Sequence, residues 1–584
     1  MNDLQPVALN KHPADLVVRN GTLLLPEPGT LRERDIAVLG DRIAALPESA
    51  EPVVDADTIE IDASGCTVVP GFIDAHTHVD LGPTIETAYH QWLLGGTTAV
   101  VTETSSIVSS TGPEGVRALL ETAADLPVTI RPTAPPQGLI DTFEPARASE
   151  SQAADLEALL AEDRIAGVGE IGWIHVVGRD SPVERLIRRA HELDKPVVGH
   201  GAGARGEKLA AFATVVDDDH EAISGEEAIE RVEAGLHVVG RCGSVRDDLA
   251  SLVTAYEELG AAELSLSTDG VEPRDLLAEG YMDAVVRQTI EAGVPPTDAI
   301  RMATLNPARH YGFEERGSLA PGNVADLVVL SDLESVAVRD VIVEGEIVVR
   351  DGEALVGPRE HTYPDEVCEP VSVSASPEQF RIPADRARDG RVRAIDCGSD
   401  APLTRETVVE PPVAEVGGTE MLTADPDRDL LLAGLFERTP ADDGTANAPF
   451  VGFLRGLGLE TGAVATTETW ECPGLLAVGT DPEAMAAAAD RVTEMGGGWA
   501  VWEDEVQAEL PMPVGAMGAN LPIEETAERY EQLEAAMADL GCSVDRPLLA
   551  LGTLTFTGVP ALKLTPSGYA DVFGRGIVGL AVKG

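Results

Sequence analysis

The sequence predicts an α/β protein whose central region, residues 67–320, is a (β/α)8 TIM-like barrel. Two observations predict the barrel. Short apolar, strand-like runs alternate with helical patterns throughout this region, and eight such repeats occur. Eight repeats in a region of about 250 residues match the count and length of a (β/α)8 barrel. The whole chain of 584 residues is too long for one hydrophobic core, so further domains are expected around the barrel.

The strand-like runs and the helical patterns follow one another in a regular order. The runs lie near the following residues: Val68, Val100, Thr129, Val168, Val197, Val215, Val238 and Leu264. Residues 184–193 and 225–234 are typical of the helices between them. This alternation indicates repeated β/α units rather than separate helical and sheet regions.

Short strand patterns also flank the barrel on both sides. The first set lies within residues 14–46, and a matching set lies within residues 325–349. Turn residues such as Gly and Asp separate the runs, which is typical of a small β module. Residues 1–66 and 321–358 are therefore expected to form one composite β-sandwich that the barrel interrupts.

A third region follows the sandwich. Residues 359–400 are rich in Pro, Glu, Ser and Asp, and we expect them to be a connection. Residues 401–584 are expected to form a C-terminal α+β domain with its own strands. This domain contains a glycine turn at 496–498 and an amphipathic helical pattern at about 523–540.

The chain is strongly acidic, with 100 acidic and 42 basic residues and a net charge of −58. Nucleic-acid binding needs a basic surface, so this charge argues against a nucleic-acid partner. Repulsion among the carboxylates would destabilise the fold at low ionic strength, and salt would screen it. The composition is similar to that of haloarchaeal proteins and favours a high-salt cytoplasm; an ordinary acidic soluble protein is the alternative.

The sequence contains no signal for a membrane or for secretion. No uninterrupted apolar stretch reaches the length of about 18 residues that a membrane span needs. The N-terminus lacks a basic segment followed by an apolar core, so no signal peptide is expected. The six cysteines are scattered and form no CxxC pair, which fits reduced thiols in a cytoplasmic protein.

The segment Asp74-Ala75-His76-Thr77-His78 follows an apolar run that begins at Cys66. Side chains at positions i and i+2 of a strand point to the same face, so both imidazoles can reach one metal ion. Two surface histidines in a loop are the alternative explanation of an isolated HxH pair. The preceding β-rich run and its Pro-Gly turn favour a metal site.

Further ligand-type residues follow the later strands, at the barrel face where reactive side chains lie. Beyond His76 and His78, the strand ends carry Glu170, His200, His220 and Asp269. Each alone could be a helix cap, a surface acid or a core histidine, but together they predict a mixed nitrogen and oxygen site for divalent metals. A glutamate between two metals can bridge them. His237 is placed near the end of strand seven and, like the remaining histidines, is expected to be structural or solvated.

Several motifs along the chain carry a family resemblance. They are VPGFIDAH at 69–76, GGTT at 95–98, GHGAGARG at 199–206, DHE at 219–221, STD at 267–269 and MATLNPA at 302–308. In the third region they are VGTDP at 478–482, GGG at 496–498 and LPMPVG at 510–515. The layout resembles the amidohydrolase superfamily and, more closely, the adenine deaminase family. The C-terminal motifs are the specific part, because most other amidohydrolases lack that domain.

The resemblance implies a function and a mechanism. Adenine would be hydrolysed to hypoxanthine and ammonia in purine salvage, through attack of a metal-activated hydroxide on C6 of the ring. The implied cofactor is Mn²⁺ or Fe²⁺, with Zn²⁺ as an alternative, in a binuclear centre. Asp269 would take the proton from the attacking water and pass it to the leaving amine, His220 would help to stabilise the tetrahedral intermediate, and Glu170 would bridge the metals. The resemblance also implies a homo-oligomer.

The sequence departs from the family pattern at positions that spare the six ligands. The family has Asp-Pro-His-Glu where this chain has Glu103-Thr104-Ser105-Ser106, and Gly270 replaces the second acid of Thr-Asp-Asp. In the C-terminal domain, His-Asp-Ser-His-Asn becomes WECPG at 470–474. These positions fall on loops that would contact the substrate, and Glu103 and Ser106 are the expected substrate residues. A related amidohydrolase acting on another heterocyclic amine or cyclic amide is the alternative function; a catalytically silent paralogue is a third, against which the intact ligand set argues.

Overall fold

Eight parallel strands, each followed by at least one helix, form the centre of the computed structural model. The model describes residues 4–136, 150–177, 183–368, 371–398, 401–438, 448–572, 574 and 576–582. The central strands are Phe72–His78, Thr97–Glu103, Thr129–Pro132, Val168–Gly172, Val197–His200, Asp218–Asp219, His237–Arg241 and Leu264–Ser267. The α/β fold expected from the sequence is therefore confirmed.

The helices of this central region separate the strands and bury their apolar faces against them. They are Ile85–Leu94, Ser105–Thr111, Pro113–Ala123, Glu150–Leu160, Trp173–Val176, Val183–Glu192, Glu207–Phe212, Gly225–Glu233, Leu249–Leu259, Pro273–Glu279, Met282–Glu291, Pro296–Met302 and Leu305–His310. The helices predicted at 184–193 and 225–234 are present within one residue at each end.

The strands of the central region form three parallel ladders rather than one closed barrel in the described part of the chain. Strands one to three, four and five, and six to eight each make a separate sheet. At two breaks, a carboxylate replaces the backbone carbonyl as acceptor. Gly199 N donates to Asp218 Oδ1 at 3.1 Å, and Thr268 N donates to Asp74 Oδ1 at 3.1 Å. The neighbouring strands thus remain side by side while their backbone pairing is interrupted.

The first strand of the central region begins later than the sequence predicts. The run near Val68 forms the strand Thr67–Pro70, which pairs with Leu327–Asp332 and Thr22–Leu25 instead of with a barrel strand. The chain passes from that sheet into the central region at Gly71. A Cβ at this glycine would lie 2.1 Å from Thr98 Oγ1, so no larger residue fits. The run near Val215 likewise precedes the sixth strand, which begins at Asp218.

The two flanking segments contribute to a common pair of sheets. The four-stranded sheet contains Leu16–Arg19, Ile36–Leu39, Arg42–Ala45 and Ile59–Asp62. The seven-stranded sheet contains Thr22–Leu25, Thr30–Glu33, Thr67–Pro70, Leu327–Asp332, Ala337–Val343, Glu346–Arg350 and Glu353–Ala354. One apolar cluster joins buried residues of both sheets, among them Leu16, Ile36, Leu327 and Ile342. Burial of this shared face holds the distant segments together.

The C-terminal region is built on an eight-stranded sheet. Its strands are Val392–Asp396, Arg405–Val409, Leu431–Glu437, Phe450–Arg455, Ala463–Thr466, Gly474–Gly479, Gly498–Trp502 and Val506–Pro511. Its longer helices are Pro482–Glu494 and Ile523–Asp539, and the latter confirms the helical pattern at 523–540. The strand Val392–Asp396 lies inside the expected connection 359–400, yet it pairs with Arg405–Val409, so the sheet begins before residue 401.

Smaller elements complete the chain. The helices are Leu4–Ala8, Asp365–Cys368 and Pro547–Gly552, and 3-10 turns occur at Glu51–Val53, Pro377–Phe380, Ala384–Arg386, Pro426–Arg428 and Thr553–Thr555. The short strands are Gly82–Pro83, Ile382–Pro383, Val413–Val416, Thr419–Leu422, Gly518–Ala519, Leu562–Thr565, Gly568–Asp571 and Gly576–Val578. Within the described ranges, no helix combines the length and the apolar character that crossing a membrane requires.

The C-terminal region packs on the loops that follow the central strands. Gly518–Ala519 pairs in parallel with Gly82–Pro83, just after the first strand. Arg438 is buried and donates to Gly515 O at 2.9 Å and to Ser110 Oγ, which follows the second strand. Arg546 bonds to Ser244 O and Glu272, beyond strands seven and eight. These contacts place the C-terminal region over the carboxyl ends of the strands.

Candidate metal centre

The six ligand residues predicted from the sequence converge at the carboxyl ends of the central strands. His76 and His78 lie on the first strand, Glu170 on the fourth and His200 at the end of the fifth. His220 and Asp269 directly follow the sixth strand and the Leu264–Ser267 strand, one and two residues beyond their ends. All are buried except His78, which is only slightly exposed.

One half of the cluster contains the HxH pair and Asp269. Asp269 Oδ1 lies 3.4 Å from His76 Nε2 and 3.4 Å from His78 Nε2. The backbone helps to fix this position, because Asp269 N donates to His76 O at 3.0 Å and Asp269 has a left-handed φ of 54°. One carboxylate oxygen therefore faces two imidazole nitrogens, as three ligands of one cation would.

The other half contains His200 and His220, with Glu170 between the two halves. His200 Nδ1 and His220 Nε2 are 3.2 Å apart. Glu170 Oε2 lies 3.3 Å from His220 Nε2, 3.5 Å from His200 Nδ1 and 3.8 Å from His76 Nε2. Glu170 thus touches ligands of both halves, which is the position a bridging carboxylate needs.

The chemistry of the donor set fits divalent metal ions. Three ring nitrogens of the cluster are buried and have no hydrogen-bond partner in the part of the chain that the structure describes: His76 Nε2, His200 Nε2 and His220 Nδ1. An unpaired buried polar group costs about 1–3 kcal/mol. A neutral imidazole nitrogen is a common metal ligand, and a mixed imidazole and carboxylate set suits borderline divalent ions. These residues could therefore hold two ions, with Glu170 between them.

The two carboxyl groups of the cluster are held in their charged form. Burial alone would favour the neutral acid, but contacts with His200 and His220 keep the pKa of Glu170 well below its ordinary value. For Asp269, burial is likewise outweighed, here by His76, His78 and Arg241, so that its pKa also lies well below the ordinary value. Both groups are thus present as carboxylates, the form that binds a cation.

Arg241 and Glu221 belong to the site, although the sequence analysis assigned neither. Arg241 Nη1 contacts Glu221 Oε1 and lies 3.2 Å from Asp269 Oδ2, while Nη2 lies 2.6 Å from Asp248 Oδ2. Arg241 is the last residue of the seventh strand, so its strand-end position was the available signal. The placement of His237 near the end of that strand is wrong, because His237 begins it.

Glu103 lies beside the cluster, and its expected role in substrate binding stays a prediction. It pairs in register with His78 on the neighbouring strand. Its Oε2 accepts a bond from Thr133 Oγ1 at 2.8 Å, whereas Oε1 is buried and has no partner among the described residues. Burial and the nearby Glu170 carboxylate raise the pKa of Glu103 to about 7.

Ser106 is buried in the helix Ser105–Thr111 that follows the second strand. The Ser106 carbonyl accepts a hydrogen bond from Ser110 Oγ at 2.9 Å. This bond lies within the helix and does not involve the cluster. A role for Ser106 in substrate binding therefore stays a prediction.

The C-terminal region reaches the cluster with aromatic side chains. The Trp470 ring lies 6.4 Å from the His78 ring, and the Phe556 ring lies 5.8 Å from the His200 ring, measured between centroids. Residues 401–584 contain no histidine, yet the region is not remote from the site. The segment 470–474, which carries Trp470, was expected to contact the substrate, whereas Phe556 was not singled out because its neighbour His200 lies hundreds of residues away in the sequence.

Parallel β/α units with a cluster of histidines and carboxylates at the strand ends define a metal-dependent hydrolase of the amidohydrolase class. Residues 67–348 match the amidohydrolase family, and residues 402–575 match the adenine deaminase C-terminal domain. The chain belongs to the adenine deaminase family, because relatives in that family match it along nearly its whole length.

Two curated relatives illustrate the match. The adenine deaminase of Methanothrix thermoacetophila is 32% identical over 582 residues, covering 98% of each chain. The adenine deaminase of Cereibacter sphaeroides is 33% identical over 579 residues, again covering 98% of each chain. Among solved structures, a β-aspartyl dipeptidase from Fervidobacterium islandicum aligns with 58% of this chain and 97% of its own, at 19% identity and a TM-score of 0.47.

Proposed function

We propose that this protein is an adenine deaminase that hydrolyses adenine to hypoxanthine and ammonia. The observation that carries the proposal is the convergence of His76, His78, Glu170, His200, His220 and Asp269 at one face of the fold. The full-length similarity to adenine deaminases supports the choice of substrate. The six residues are proposed as the metal ligands, with Mn²⁺ or Fe²⁺ as the bound pair of ions and Zn²⁺ as an alternative.

Different residues of the cluster have different roles in the proposed hydrolysis. Divalent ions at such a site supply the means to activate water as a nucleophile at neutral pH. Asp269 takes a proton from the water, and its carboxylate is oriented by Arg241, which lies 3.2 Å from Oδ2. Asp269 then delivers that proton to the amino group that leaves C6, so that water and adenine become hypoxanthine and ammonia. His220 lies on the other side of Glu170, where it can help to stabilise the tetrahedral intermediate.

The direct test measures adenine loss and ammonia release by the purified protein in Mn²⁺ and multimolar KCl, together with its metal content. We expect turnover of adenine and about two metal equivalents per chain. Asp269→Asn removes the proton acceptor and should lower kcat by about 100-fold or more. If the protein binds no metal at high salt, the proposed metal-dependent deamination is wrong.

A different heterocyclic amine or cyclic amide is the second candidate substrate. The observation in its favour is that the departures from the family pattern, at 103–106, Gly270 and 470–474, lie next to the site while the ligands are kept. A pocket built on hydrogen bonds strongly rejects analogues when its partners change. Metal binding without adenine turnover, followed by activity on a panel of heterocycles, would select this alternative.

We further propose that the three regions of the chain act as domains: a sandwich from 1–66 and 321–358, a barrel over 67–320, and a C-terminal domain joined through 359–400. The shared sheet of the flanking segments supports the sandwich. Two strands pair across these proposed boundaries: Thr67–Pro70 with Leu327–Asp332, and Val392–Asp396 with Arg405–Val409. Self-association as a homo-oligomer, measured by light scattering at high salt, stays a prediction.

A further inference from the structure

Two segments of the C-terminal region approach the metal cluster closely. Besides the Trp470 and Phe556 rings, the backbone at Gly558 is so near that an added Cβ would lie 3.5 Å from His200 Nε2. The two rings also contact each other, with centroids 5.9 Å apart and planes tilted by 59°. The two rings thus lie beside each other, with Trp470 against His78 and Phe556 against His200.

Hydrogen bonds fix the segment that carries Trp470. The backbone N–H of Trp470 donates to Gly552 O at 3.0 Å, and the carbonyl of Trp470 accepts from Thr555 Oγ1 at 2.8 Å. The next residue, Glu471, has a φ of 65°, a left-handed conformation that is uncommon for glutamate. The fold thus holds Glu471 in a conformation that it would seldom adopt by itself.

Within the described part of the chain, hydrogen bonds anchor one oxygen of the Glu471 carboxyl group. Oε2 accepts from Thr557 Oγ1 at 2.7 Å and from Gly558 N at 2.9 Å. Because Gly558 lies against His200, these bonds bring the carboxyl group to the edge of the metal cluster. Burial raises the pKa of Glu471, the Thr557 bond and His200 oppose that rise, and Glu170 adds to it. The second oxygen, Oε1, accepts no hydrogen bond from the residues that the structure describes.

We propose that Glu471 is a specificity-determining residue, whose Oε1 accepts a hydrogen bond from an N–H group of the bound heterocycle, while Trp470 and Phe556 cover the ring. The inference rests on the proposed function and extends it to the C-terminal domain. Aromatic side chains suit a planar base because they bury its faces, and a carboxyl oxygen suits an N–H edge. The C-terminal domain would thereby complete the substrate pocket.

Glu471→Gln is the sharpest variant for testing the role of Glu471. The amide oxygen can keep the bonds from Thr557 and Gly558, while the amide nitrogen takes the place of Oε1 and turns an acceptor into a donor. We expect the KM for adenine to rise about tenfold or more, with a smaller change in kcat and an unchanged metal content.

Glu468→Gln is the matched control. Glu468 is another partly buried acid of the same segment, but its Oε2 accepts from Trp499 Nε1 at 2.5 Å and from Tyr530 OH at 2.9 Å, within the C-terminal region. The Glu468→Gln variant should have the same KM for adenine as the wild type. Equal KM values for Glu471→Gln and the wild type would overturn the inference while leaving adenine deamination intact.

A binding measurement separates this inference from the proposed function. Hypoxanthine is titrated into the metal-loaded protein, with calorimetry for the affinity and tryptophan fluorescence for contact with Trp470. We expect the Glu471→Gln variant to bind about tenfold or more weakly, and Trp470→Phe to abolish the fluorescence change. Equal binding by the wild type and Glu471→Gln, or no binding by either, would overturn the inference, whereas loss of adenine turnover in the wild type overturns the proposed function.

Discussion

At the scale of single residues, Arg241 organises the charges around the cluster. Its guanidinium is buried and meets three carboxylates, those of Glu221, Asp248 and Asp269. A guanidinium can do this because its donors form a planar fork, whereas an ammonium group is a compact charge. By binding Asp269 Oδ2, Arg241 leaves Oδ1 facing His76 and His78, which makes it a positioning residue.

Arg241→Lys tests this positioning role. Lysine keeps the charge, but it cannot bond all three carboxylates at once, so Asp269 should lose its fixed orientation. We expect kcat to fall about tenfold or more while the metal content changes little. Arg246→Lys is the matched control, because Arg246 is partly exposed and lies 3.6 Å from the same Asp248. If the Arg241→Lys variant has the same kcat as the wild type, Arg241 does not position Asp269 for catalysis.

At the scale of elements, carboxylates replace strand pairing next to the cluster. Asp217 and Asp218 accept the backbone N–H groups of Val197 and Gly199, at 2.8 and 3.1 Å. Asp218 Oδ2 is also bonded by His310 Nε2 at 2.6 Å, a contact that, despite burial, lowers its pKa. The fifth strand, which ends in His200, is therefore positioned by side chains as well as by its ladder.

Removing the Asp218 side chain should destabilise the fold. Asp218→Ala leaves the Gly199 N–H and His310 without their acceptor in a buried place, so we expect a loss of about 2–4 kcal/mol in unfolding free energy. Asp218→Asn keeps one oxygen for Gly199 and should lose less. The measurement is urea unfolding at fixed high salt. A smaller loss for alanine than for asparagine would contradict this role of the carboxylate.

Sequence patterns singled out the residues that cluster at the strand ends better than the residues around them, and their role as metal ligands stays a prediction. His76, His78, Glu170 and His200 were found because each lies at the end of an apolar run, where a barrel places reactive groups. Arg241 was missed because the run around Val238 does not show where the strand ends.

The other differences between the sequence prediction and the structure arise from contacts between residues that are far apart in the sequence. Phe556 was missed because its neighbour His200 comes from a distant part of the chain. The run near Val68 was assigned to the first central strand because Thr67–Pro70 and Phe72–His78 form one nearly continuous apolar run that only the fold divides.

At the scale of the whole molecule, attraction between the regions competes with overall charge. The C-terminal region is tied to the central region partly by ion pairs, such as Arg546 with Glu272 and Arg274 with Glu534 at 3.0 Å. Both pairs are partly exposed, so each is worth about 1 kcal/mol or less. The net charge of −58 acts in the opposite direction, because the excess carboxylates along the chain repel one another.

Salt should therefore stabilise this protein, because it weakens repulsion among many carboxylates more than it weakens a few surface pairs. The screening length falls from about 10 Å at 0.1 M to about 3 Å at 1 M. We expect the melting temperature to rise steeply with KCl up to about 1 M and more slowly above it, because screening is then nearly complete. Sucrose is the control, since it favours burial without screening charge. A melting temperature that falls between 0.1 and 1 M KCl would show that the ion pairs, rather than the net charge, govern the stability of the molecule.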